Sequence, residues 1–65
     1  MDQQELIKIL KKEIAFRRET IDRIKHLKMN TNVRSEEFQY TIDMAVEAGK
    51  IDQTKQIMEL IESFQ

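Results

Sequence analysis

The sequence has no cysteine and no proline, and only one glycine and one histidine among its 65 residues. Without cysteine no disulfide can staple so short a chain, and with His26 the single imidazole a structural metal site of the Cys/His kind is closed too. A chain of this length buries a small share of its surface, so of the usual remedies for marginal stability oligomerisation is the one left. One glycine excludes a glycine-rich phosphate loop. There is no run of roughly 18 apolar residues to span a membrane. Met1-Asp2-Gln3-Gln4-Glu5 lacks the basic segment and apolar core of a signal peptide, so a cytoplasmic protein is expected.

Catalytic equipment is also scarce. The hydroxyls of Ser35 and Ser63 belong to a helix start and to the end of the sequence, and His26 stands four residues after Asp22 as an ordinary helical pair. The carboxylates are scattered rather than convergent. The expectation is a protein that is not an enzyme and carries no cofactor and no metal.

What the sequence does contain is charge and helical periodicity. Residues 1–34 carry nine Lys or Arg against five Asp or Glu, and residues 35–65 carry two against seven, so a basic front half precedes an acidic rear half. Oppositely charged halves attract on folding or across a dimer. From Glu5 to Met29 there is neither glycine nor proline. Within that stretch Ile7, Leu10, Ile14, Arg17, Ile21 and Ile24 follow the alternating 3 and 4 spacing of heptad a and d positions. Leu6, Ile9, Phe16 and Leu27 widen the apolar arc beyond what one hairpin neighbour requires. The first helix is therefore expected to serve one neighbour in its own chain and one from another.

Three helices are expected within a single domain covering 1–65: about 2–29, about 36–48 and about 52–64. Asp2 is the expected N-cap of the first, with Glu5 three residues on, and Glu13–Arg17 and Glu19–Arg23 are in the favourable i, i+4 order. Asn30-Thr31-Asn32 ends it, and Ser35 is expected to cap the second. Phe38, Ile42, Ala45 and Val46 form the stripe expected to pack on the first helix, with Tyr40 and Met44 on the opposite side. Gly49 sits where a left-handed C-terminal cap would stop that helix, and Asp52 would cap a third carrying Ile57, Leu60, Ile61 and Phe64. The fold class is thus all-α, a helical hairpin or three-helix arrangement in a dimeric bundle.

Candidate functional residues fall into three groups. Ile9, Phe16, Arg23, Tyr40 and Met44 lie off the main seams and are candidates for binding a partner protein. Arg17, charged at a d position, is either a snorkelling side chain whose guanidinium reaches a carboxylate or a device that fixes register. Lys8, Lys11, Lys12, Arg18, Arg23 and Lys25 could line a phosphate backbone, as in nucleic-acid-binding helical dimers. Lys11, Arg18 and Lys25, spaced by seven, would instead meet Glu36, Asp43 or Glu47 of a neighbouring helix as flanking charges do.

Two resemblances accompany these readings. Arg18 followed by Gln39-Tyr40-Thr41-Ile42-Asp43 resembles the small helical-hairpin phosphatases of sporulation response regulators, keeping an aliphatic residue and the final Asp of their signature; it would imply aspartyl-phosphate hydrolysis dependent on Asp43. Ile42-Asp43-Met44-Ala45-Val46 followed by Met58-Glu59-Leu60 is similar to the so-called IDEAL domain. The reading of the whole is a small intracellular regulatory or adaptor protein, of the kind that serves as a stoichiometric antagonist or antirepressor. It would be a homodimer that binds a partner protein through helical surfaces; nucleic-acid binding and a phosphatase-like hairpin are the alternatives.

Overall fold

The computed structural model describes residues 2–64, and 58 of these 63 lie in two α-helices. Helix α1 is Gln3–Asn30 and helix α2 is Arg34–Ser63, joined by Thr31, Asn32 and Val33. So short a connection reverses the chain and lays the helices antiparallel. The Cα envelope of 49 × 14 × 13 Å is that of two helices side by side along their whole length.

Helix α1 begins as its sequence requires. Asp2, in extended conformation, accepts the Glu5 backbone N–H on its carboxylate at 2.8 Å. At the other end the turn is organised by Thr31 rather than by Ser35. The Thr31 hydroxyl accepts the Val33 N–H at 3.2 Å and donates to the Glu36 carboxylate. Helix α2 consequently starts at Arg34 with Val33 as its cap residue, which lends no side-chain hydrogen bond.

The expected third helix does not exist as a separate element. Residues about 36–48 and about 52–64 are one continuous helix, and Gly49 lies inside it with no positive φ. The reason is a seam that runs straight through the glycine: Tyr40, Met44, Glu47, Ile51, Thr54, Met58 and Ile61 keep the 4, 3, 4, 3, 4, 3 spacing, and all seven are partly or fully shielded. A glycine inside a helix costs about 1 kcal/mol relative to alanine. A break there would cost more, because it would carry Ile51, Met58 and Ile61 out of register with α1. Asp52, expected to cap a helix, is an exposed residue within α2.

The inner face of α2 is also the reverse of the one expected. Tyr40 and Met44 turn inward, whereas Phe38 is 68% exposed and Ile42 and Val46 also face outward. The stripe Phe38, Ile42, Ala45, Val46 is the more apolar of the two. It ends at Gly49, while the inward seam continues for the full length of α1. Thr54 is tolerated on that seam because its hydroxyl donates to the Lys50 carbonyl at 2.9 Å, and Thr20 on α1 does the same to Phe16 at 3.1 Å.

A Cβ added at Gly49 would meet nothing within 4 Å. Gly49→Ala is therefore expected to stabilise the hairpin by about 0.5–1 kcal/mol, since it removes unfolded-state freedom at a helical φ/ψ. Thermal melts followed by circular dichroism check this; a lower melting temperature would mean that a left-handed cap is needed at position 49.

Candidate interaction surface

The seam residues of α1 all face α2. Ile14 is 8% exposed, and Ile7, Leu10, Arg17, Ile21 and Ile24 are half-buried. Arg17 fixes the register: its guanidinium donates to Glu47 across the hairpin at 2.9 Å and holds Glu13 of its own helix at 2.6 Å. Facing positions in an antiparallel pair keep a nearly constant sum of residue numbers, which sets Ile14 against Ile51, Ile21 against Met44, and Ile24 against Tyr40. Ile51, also 8% exposed, is the only other buried residue among those described.

Arg17 and Glu47 keep 23% and 18% of their side-chain surface, so solvent screens the pair. The hydrogen bond to Glu47, aided by the charges of Glu13 and Glu47, pushes the Arg17 pKa up against the opposing effect of burial. Its Nε is shut off from water with no partner among the described residues. Removing one member of such a pair strands the other. Arg17→Met and Glu47→Leu are each expected to lower the melting temperature, and the double variant, which presents two apolar groups at that layer, to melt above both singles. A double variant no better than the worse single would show that the pair does not couple the helices.

On either side of this seam the hairpin has a flank, and the two differ in chemistry. In an antiparallel pair the g positions of both helices, bordered by c positions, share one flank, and the e positions share the other. Leu6, Ile9, Phe16 and Leu27 of α1 and Val46, Ile57, Leu60 and Phe64 of α2 occupy the g flank. These are eight of the twelve large apolar residues left exposed among those described, so the excess apolar surface is concentrated on one side. Phe16 is 58% exposed and Leu60 59%. Isolated exposed apolar residues are ordinary; a bias of most of them to one side makes that flank the candidate surface.

The e flank carries a cationic stretch at its middle, between a groove that Lys11 shares with Glu62 and one that Lys25 shares with Glu37. A shallow groove there, about 310 Å³, is lined by Lys11, Ile14, Ala15, Arg18, Lys55 and Met58, three cations over an apolar floor with no acid. The expected match of Lys11, Arg18 and Lys25 to Glu36, Asp43 and Glu47 is not made. Glu47 is taken by Arg17, Asp43 accepts from Gln39 at 2.9 Å, and Glu36 accepts from Thr31. Lys11, Arg18 and Lys25 have no carboxylate of a described residue within ion-pair distance.

Compared with known protein families, with characterised proteins and with solved structures, the chain matches none. The residues behind the phosphatase likeness do not converge either. Arg18 lies on the e flank and Asp43 on the g flank, held by Gln39 rather than by a cation. Of the candidate partner-binding residues, Ile9, Phe16 and Arg23 are exposed on the c positions, bordering the g flank. Tyr40 and Met44 are half-buried in the seam, where they pack within the chain. Sequence reasoning missed Ile57, Leu60 and Val46 as surface residues. The signal was present in the heptad phase, which places them at g and c once the seam is traced through Gly49. Among the described residues no cluster of three or more His, Asp or Glu could hold a metal ion, and no helix is long and apolar enough to cross a membrane.

Proposed function

We propose that this chain is a small regulatory or adaptor protein without chemistry of its own. It acts by laying the g flank of the hairpin against the helical surface of another polypeptide. One observation carries the reading: eight of the twelve large apolar side chains left exposed among the described residues gather on a single flank. Helix-in-groove and bundle-completing contacts use such a surface, apolar anchors supplying affinity and surrounding charges setting orientation. Aromatic Phe16, standing clear of the hairpin near the middle of α1, is the natural anchor. The test is photo-cross-linking in the native host with a photoreactive amino acid at Phe16 or, on the outward face, at Lys12. Polypeptide adducts are expected from position 16 and few from position 12. Adducts to nucleic acid, or none from position 16, would overturn the reading.

The cations Lys11, Arg18 and Lys55, which share a groove with no acid, favour a second reading, nucleic-acid binding through the e flank; Lys8, by contrast, lies in a groove with Asp2, Glu5 and Glu62. Here Lys11→Glu combined with Arg18→Glu would abolish binding to duplex RNA or DNA and leave helicity unchanged. Wild-type affinity would fall steeply as salt rises, by about one power of the salt concentration for each phosphate neutralised. Absence of any salt-dependent retention by either duplex would dispose of it.

A further inference from the structure

We infer that the g flank is covered by a second copy of this chain, so that two hairpins close into a four-helix bundle. The inference rests on the reading of that flank as a docking surface and names its occupant. The first support is area. The hairpin exposes 5292 Å², whereas a folded monomer of its 7.8 kDa mass is expected to expose about 4,400 Å². The surplus of roughly 900 Å² is close to what each partner contributes to a standard protein interface, about 800 Å². Its radius of gyration, 15.1 Å, likewise exceeds the roughly 11 Å of a compact chain of this length.

The second support is placement. In a four-helix bundle each helix meets one neighbour through its a and d positions and the next through the adjoining flank, about a quarter-turn away. Leu6, Ile9 and Phe16 stand on that quarter of α1, and Val46, Ile57 and Leu60 on that quarter of α2. Both sets point to the same side of the hairpin, so a single flat-on partner covers them together. They are concentrated toward the termini, with Glu13, Lys50 and Gln53 set among them; the same flank near the turn carries Thr20, Arg23, Glu36 and Asp43 beside Leu27. The contact is therefore centred on the terminal half. A self-complementary surface of this kind closes on itself in a two-fold dimer, and a short chain without disulfide or metal gains its stability there.

The absence of native cysteine makes the test clean. Light scattering of the wild type across a concentration series is expected to give twice the monomer mass. Single variants Ile9→Cys and Ile42→Cys, the second equally apolar but on the outward face, are then alkylated at low and high protein concentration. The thiol at position 9 should react several times more slowly at high concentration, and that at 42 at one rate throughout. Phe16→Glu should yield monomer, and Phe38→Glu should not. Should Phe16→Glu unfold, the alkylation pattern still decides. A wild type that stays monomeric at millimolar concentration, or equal reactivity of the two thiols at every concentration, overturns the dimer. If Phe16 nevertheless cross-links to a foreign polypeptide in the host, the docking flank stands and only its occupant is wrong; with no polypeptide adduct, both fall.

Discussion

In a hairpin each helix has a single neighbour. Its a and d side chains meet that neighbour head-on, but nothing covers the seam from the two flanks, so water reaches every layer from the sides. A helix in a three- or four-membered bundle escapes this, because a second neighbour closes one flank. Here Ile14 and Ile51, facing each other at the middle of the seam, are the only described residues that become buried. Every layer further out stays partly wet, although Ile7, Leu10, Ile21, Ile24, Met44, Met58 and Ile61 are all apolar. The hydrophobic contribution scales with the area removed from water, so a seam open on both sides yields a fraction of what the same residues yield in a closed core.

Next to the buried layer lies the one layer that is charged on both helices. Arg17 and Glu47 gain little net free energy at this exposure. Their use is positional. Aliphatic layers of similar shape tolerate a slip by one heptad, whereas a guanidinium forked between Glu13 and Glu47 is satisfied in one register only. The pair also accounts for the inward turn of Tyr40 and Met44. Once Glu47 sits opposite Arg17, helical periodicity places positions 40, 44, 51 and 54 on the same face, and the more apolar stripe of Phe38, Ile42 and Val46 is left outside.

The α1 seam, the Asp2 cap, the Glu13–Arg17 pair and the reversal near residues 30–34 were legible in the residues themselves, because each depends on residues a few positions apart. The inner face of α2 was harder. Its seam contains Tyr40, Glu47 and Thr54, which hydrophobicity alone assigns to solvent, and its phase is set by a cross-hairpin contact thirty residues distant in sequence. Gly49 misled for a related reason. Local preference makes it a stop signal, but a glycine in a helix costs only about 1 kcal/mol, less than breaking a seam that extends to Ile61.

The two flanks differ in what covering them would gain. Covering the g flank adds buried area directly to the open seam beneath it, so association there stabilises the fold itself and the folded population rises with the concentration of whatever binds. The e flank, with Lys11, Arg18 and Lys55 over Ile14 and Met58, gains nothing comparable from closure, since three cations would have to shed water without an acid to receive them. A partner would therefore gain more buried area from the g flank than from the e flank. For a hairpin with so open a seam, any partner laid on the g flank would raise the folded population together with the bound one.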